Sequence, residues 1–255
     1  MKTIAVVNQK GGVGKSTTCM NLAGGLVRLG AKVLLIDLDP QAHLTYGLAI
    51  QAHELDYTIS DVLMGKTTIQ DAMLLRGSIN IIPASFKLEE TAMRLLAFED
   101  RNLILKNAFK EAEKELKKKR EIHYVILDTP PSLGLLTQNA LAFATEVFIP
   151  VQTEFLPLHG LGRLIETIEI AKERLNPNLK LSGLIATLYD DQRKLNREIK
   201  SQLKKRFGDL LFNTVIREDT ALAQAPGSGQ NVFEFAPKSH GAEDYMNLCQ
   251  EIIER

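Results

Sequence analysis

The chain has no excess of charge of either sign. Its 31 Lys and Arg residues are matched by 31 Asp and Glu, so the formal net charge is zero. Overall charge therefore points to no nucleic-acid partner, and any basic surface has to be local. Cysteine is nearly absent. Cys19 and Cys249 are the two, far apart, which excludes a disulfide framework and points to a reducing compartment. There is no CxxC and no Cys/His cluster, which argues against a structural zinc site. No apolar run approaches the roughly 20 residues of a membrane-spanning helix. The first strand begins within three residues of Met1, leaving no room for a secretory leader, and a cytoplasmic location is expected. Low-complexity linkers and internal repeats are also lacking. With 45% hydrophobic residues, one domain spanning residues 1–255 is expected.

What is present is an alternation of strand and helix patterns. Ile4–Val7, Val33–Ile36, Ile79–Ile82, Val125–Leu127, Val147–Val151 and Leu184–Leu188 read as buried strands, and Leu210–Ile216 as a weaker seventh. Helical spacing marks Ser16–Leu29, Arg101–Arg120, Leu161–Leu175 and Arg193–Phe207. The expectation is an α/β fold, a mainly parallel twisted sheet with helices on both faces. Pro226–Gln230 reads as a short functional loop.

Between the first strand and first helix runs Lys10-Gly11-Gly12-Val13-Gly14-Lys15-Ser16-Thr17. This is a deviant phosphate-binding loop, with Gln9 where GxxxxGK[ST] has glycine and a second lysine, Lys10, at its entrance. The glycines let backbone N–H groups close around phosphates, and the helix start adds its dipole. Lys15 is expected to neutralise the β- and γ-phosphates of ATP, and the Ser16 hydroxyl to ligate Mg²⁺. The phosphate cradle is residues Gly11, Gly12, Val13, Gly14, Lys15, Ser16 and Thr17. Asp37 and Asp39 end one strand and Asp128 another, at the sheet edge where such folds bind ligands. Asp128 fits the role of holding Mg²⁺, and Asp39 that of orienting the attacking water. Isolated histidines such as His43, His123 and His159 read as turn or surface residues.

These residues resemble the deviant-Walker ATPases, most closely the ParA/Soj partition proteins. The likeness rests on Asn8–Thr18, Leu35–Gln41 and Val125–Ser132, and more weakly on Pro150–Gly162, Gly183–Asp190 and Pro237–Tyr245. It implies that Lys10 reaches across an ATP-bound homodimer to the partner's nucleotide. It also implies non-specific binding of double-stranded DNA, nucleoid association, and a ParB-type activator that stimulates hydrolysis. The cargo is expected to be a chromosome or plasmid, the alternative being positioning of a protein cargo. A metabolic P-loop enzyme with a small-molecule acceptor is a third class, without an additional catalytic cluster in the sequence. A MinD-like membrane helix fits poorly, because Ala242–Arg255 carries Glu243, Asp244, Glu251 and Glu254.

A DNA surface is sought on Arg193–Phe207. At about 100° per residue, Arg193, Arg197, Lys200 and Lys204 fall within roughly 60° of one another. Leu195, Ile199, Leu203 and Phe207 form a separate packing face. Arg217 matches a further family cation and is counted with the four cations of that helix as a DNA-binding residue. Ala221 stands where the family has a DNA-contacting arginine, and Ile216 and Glu218 replace residues near the adenine. The run Lys117–Arg120, at a helix end, reads as structural.

Overall fold

The structure is a computed structural model and describes residues 1–118, 121–153 and 158–255. Eight strands form one sheet: β1 (Lys2–Val6), β2 (Val33–Asp37), β3 (Leu74–Arg76), β4 (Ile79–Ile82), β5 (Tyr124–Asp128), β6 (Glu146–Gln152), β7 (Lys180–Tyr189) and β8 (Leu211–Arg217). The spatial order is β3-β4-β2-β5-β1-β6-β7-β8, and every pairing is parallel except β3 with β4.

The first helices along the chain are α1 (Lys15–Arg28), α2 (His43–Gly47), α3 (Ile59–Leu63), α4 (Lys87–Leu95) and α5 (Ile104–Lys118). Later in the chain come α6 (Leu135–Phe143), α7 (Leu158–Arg174), α8 (Lys194–Phe207), α9 (Thr220–Gln224), α10 (Val232–Phe235) and α11 (His240–Glu254).

Strand side chains alternate between two cores. Ala5, Val7, Leu34, Ile36, Val125, Leu127, Val147 and Ile149 join a cluster with Leu105 and Phe109 of α5, Leu164 and Ile168 of α7, and Leu203 of α8. Their sequence neighbours Ile4, Val6, Val33, Leu35, Ile126 and Phe148 join a second cluster with Leu22 and Leu26 of α1 and Tyr245 and Leu248 of α11. Burial on both faces is why these strands are continuous Val/Ile/Leu runs. The sheet is thus covered by helices on both faces, as expected.

All seven strands read from the sequence are present, including the weak seventh as β8. The short antiparallel edge strand β3 carries the sequence Leu-Leu-Arg, too short for a period to register. Pro226–Gln230 lies largely within a 3₁₀ turn, Ala225–Ser228. In α8 the packing face holds Ile199 and Leu203, but Leu195 is 51% exposed and Asn196 is buried in its place. Lys119 and Arg120 lie outside the described residues.

Gly183 in β7 lies against the Phe212 ring of β8. A Cβ there would come within 2.0 Å of the ring. The ring cannot swing away, because it stands edge-on to Phe148 and beneath Arg255. Gly183→Ala is therefore expected to destabilise by about 1–3 kcal/mol through overpacking, read from urea unfolding.

Candidate nucleotide site

β1 sits in mid-sheet. The chain leaves it through α1 to β2 on one side, returns to β5 beside β1, and then continues to β6 on the other side. This reversal opens a crevice at the carboxyl ends of the strands, and the phosphate loop fills it. Gly12 and Gly14 adopt φ of +74° and +89°, the left-handed region that glycine enters without strain. A Cβ on Gly11, Gly12 or Gly14 would meet nothing within 4 Å. Gly12 and Gly14 are demanded by backbone conformation, and there is open space beside all three glycines. Gly14 caps α1 without a side-chain bond, and the first intrahelical bond runs from the Thr18 N–H to the Gly14 carbonyl at 2.8 Å. The preceding N–H groups, those of Lys15, Ser16 and Thr17, begin the helix with no carbonyl behind them.

Two lysines occupy this loop in opposite ways. Lys15 is 7% exposed, and its Nζ lies 3.5 Å from the Lys10 carbonyl. Burial pushes its pKa down, while Asp128 and Asp39 pull it back up. Lys10 is exposed, and its Nζ donates to Gln152 Oε1 at 2.7 Å. Asn8 shapes the entrance, accepting from the Lys10 N–H at 3.0 Å and donating to the Pro150 carbonyl at 2.6 Å. Behind the loop, Thr187 donates to the Val13 carbonyl at 2.9 Å.

The parallel register places Asp37 directly beside Asp128, with Val6 on the other side of Asp128. Both aspartates are fully buried. Asp37 is saturated: it accepts from the Asp39 N–H, the Thr45 N–H and the Thr45 hydroxyl at 3.0, 3.0 and 2.7 Å. It braces the Asp39 loop and the start of α2. Asp128 is the opposite case, because among the described residues neither of its oxygens has a hydrogen-bond donor at bonding geometry. Burial, then Asp37, push its pKa well up. The Ser16 hydroxyl and then Lys15 favour the charged form. A buried, unpaired carboxylate beside a hydroxyl is a donor set suited to a hard divalent cation. Asp39 is 6% exposed at the rim, one oxygen accepting the Gln41 N–H at 2.9 Å.

The structure therefore gathers Gly11–Thr17, Asp39 and Asp128 at one edge. Sequence reasoning named Asp37 without its bracing role and did not single out Gln152, Thr187 or Thr45. Their signal is long-range pairing, which no local motif carries. His43 is exposed, and His123 is exposed with Nδ1 accepting the Lys32 N–H at 3.0 Å; the His159 side chain lies outside the described residues.

The basic residues of α8 are individually engaged. Arg193 pairs with Asp190 and Glu218 at 3.1 and 3.0 Å, Arg197 donates to the Asp191 carbonyl, and Lys204 lies 3.6 Å from Asp209. Lys200 sits 5.3 Å over the Tyr189 ring. Arg217 is set apart. Its guanidinium is gripped by Asp244 and Glu243 of α11, each at 2.6 Å, which pushes its pKa up and stitches β8 to α11. Ala221 is 8% exposed in the second core, and the buried Ile216 packs there too.

A mainly parallel sheet, a glycine-rich phosphate loop and strand-end carboxylates define a P-loop ATPase. A family profile described as "AAA domain" matches residues 1–181. Among characterised relatives, the chain is 38% identical to the chromosome-partitioning ATPase Soj of Treponema pallidum, covering all of this chain and 98% of that one. It is 36% identical to the chromosome partitioning protein ParA of Caulobacter vibrioides, covering all of this chain and 95% of that one. A solved structure from Mycobacterium smegmatis, described as cobyrinic acid a,c-diamide synthase with bound ATP analogue and magnesium, superposes with a TM-score of 0.86. It is 30% identical and covers all of this chain and 95% of that one. The chain belongs to the ParA/Soj family of P-loop ATPases.

Because the Asp37–Asp128 pair holds protons more tightly folded than unfolded, the folded nucleotide-free protein binds more protons above the ordinary carboxylate range near pH 4. Its stability contribution is thus present at low pH and falls as pH rises towards neutrality. Asp128→Asn should flatten that dependence and raise the neutral-pH stability of the nucleotide-free protein by about 1 kcal/mol. The same variant should lose magnesium-dependent nucleotide affinity. Parallel urea unfolding curves from pH 5 to 8 check the first point, and nucleotide titration with and without magnesium the second.

Proposed function

We propose that this protein binds ATP with Mg²⁺ and acts as a dimerising switch in chromosome or plasmid partitioning. Asp128 and Ser16 hold the cation, Lys15 and the N–H groups of Gly11–Thr17 hold the phosphates, and Asp39 orients the attacking water. The observation that carries this reading is the division between the two lysines. Lys15 is buried and turned to its own loop, whereas Lys10 is exposed and held at the tip by one neutral amide. An exposed cation at the mouth of a phosphate cradle suits a second molecule's phosphates, where it stabilises transferring charge as an arginine finger does. Without nucleotide, two such faces repel. With ATP they attract, so ATP times association.

In this reading the dimer holds double-stranded DNA without sequence preference through Arg193, Arg197, Lys200 and Lys204. Arg217, gripped by two carboxylates, supports the surface from behind. A ParB-type protein accelerates hydrolysis. The one continuous sheet supports taking residues 1–255 as a single domain, located in the cytoplasm and on the nucleoid. Among the described residues no helix is long and apolar enough to cross a membrane. The Mycobacterium smegmatis structure carries the name of a synthase, so an acceptor-dependent reaction is the competing reading. Hydrolysis of ATP by the purified protein with no acceptor present counts against it.

Size-exclusion chromatography with light scattering tests the switch. Asp39→Ala with Mg-ATP should run as a dimer, and with ADP or no nucleotide as a monomer. Lys10→Ala should keep nucleotide affinity in the monomer yet fail to form the ATP dimer. A monomer under every condition for Asp39→Ala overturns the switch. Arg197→Glu with Lys200→Glu should abolish DNA retention at low salt while leaving ATP binding intact, since each phosphate contact contributes to the salt-dependent affinity. Unchanged retention removes α8 as the DNA surface.

A further inference from the structure

Between the phosphate loop and α8 lies a run of buried polar groups that neither motif nor charge pattern announces. Thr187 of β7, 3% exposed, donates its hydroxyl to the Val13 carbonyl at 2.9 Å. The Thr187 carbonyl in turn accepts from the Thr153 N–H at 3.1 Å and from the Thr153 hydroxyl at 3.2 Å. The same hydroxyl lies 3.2 Å from the carbonyl of Leu188. Leu188 has φ of +50°, a left-handed conformation that a branched side chain adopts only under constraint. From Thr153 the path continues outward. Its carbonyl accepts from Asn196 Nδ2 at 3.0 Å, and Asn196 Oδ1 accepts from the Asp190 N–H at 2.7 Å. Thr153 and Asn196 are 0% and 1% exposed. Asp190 then holds Arg193, the cap of α8, through its side chain and its carbonyl.

Both ends of the loop arrive at this junction. Lys10 reaches it through Gln152, the neighbour of Thr153, and Val13 through Thr187. Buried polar groups of this kind tolerate few arrangements, because a bond opened without water is not replaced. A shift of the loop around phosphates is therefore passed along the chain of bonds instead of being absorbed within it. Leu188, held out of its preferred conformation, marks where this run of bonds is strained.

We infer that Thr153 and Asn196 are positioning residues that couple the arrangement of the phosphate loop to the placement of the basic helix α8. The inference rests on the reading of α8 as the DNA surface, and it names how the nucleotide would control that surface. Neither residue touches phosphate or DNA. Each acts through its neighbours, Thr153 through Thr187 and Asn196 through Asp190 and Arg193.

Three variants test it: Thr153→Val, which removes the hydroxyl at constant shape, Thr153→Ser, which restores it, and Asn196→Leu. Two quantities are read in each, the affinity for a short random-sequence duplex in Mg-ATP and in Mg-ADP, and the amide exchange of residues 194–200 with and without Mg-ATP. Thr153→Val and Asn196→Leu should keep nucleotide affinity within about twofold but lower the ATP-over-ADP preference for DNA roughly tenfold, the loss of a buried hydrogen bond. Thr153→Ser should recover it. The wild-type preference retained in Thr153→Val, or no recovery in Thr153→Ser, overturns the coupling. Should Asn196→Leu fail to fold, the Thr153 pair decides. Should the wild type bind no DNA, the DNA reading falls, and amide exchange alone decides the coupling. An exchange response to Mg-ATP that vanishes in Thr153→Val supports it; a response that persists, or none in the wild type, overturns it.

Discussion

The parallel register of three strands is the constraint on which the site depends. It sets Asp37 and Asp128 side by side at the sheet edge, with the phosphate loop leaving β1 next to them. Two buried carboxylates in contact repel and are poorly solvated, so such a pair persists only where something else requires it. Asp37 is neutralised in effect by three donors. Asp128 has no such partner among the described residues, and Ser16 and Lys15 favour its charged form. The fold keeps one carboxylate as a brace and leaves its neighbour open, which divides structural from chemical duty between identical side chains.

Much of this was legible in the sequence because it is local. A strand buried on both faces writes itself as a continuous apolar run, and the loop glycines are fixed by backbone conformation at Gly12 and Gly14. Asp128 ends β5, and Asp39 lies two residues beyond the end of β2. What escaped local reading depends on distant partners. Arg217 carries a charge that helical or strand patterning cannot distinguish from a DNA contact, until Asp244 and Glu243 are brought to it by α11. Asn196 looks like a surface residue of a basic helix, and Leu195 like its packing residue. Their exchange follows from the Thr153 carbonyl and the Asp190 N–H, which lie elsewhere in the chain. Leu-Leu-Arg of β3 is too short to carry any period.

The zero net charge acquires a structural sense. The cations of α8 do not stand in a bare row, because Asp190, Glu218 and Asp209 lie among them. These are surface pairs, each modest in water, so the helix carries positive charge that is balanced locally and only weakly held.

The last helix reaches the first. Tyr245 of α11, buried at 1% exposure, shares a hydrogen bond of 3.1 Å with the Thr18 hydroxyl, and Leu248, Cys249 and Ile252 pack beside α1. The helix that follows the phosphate loop keeps an uncovered apolar face until α11, more than 200 residues further along, packs on it. Contacts so distant along the chain form slowly. The helix that starts at the phosphate loop is therefore finished, as a packed element, only when α11 docks against it.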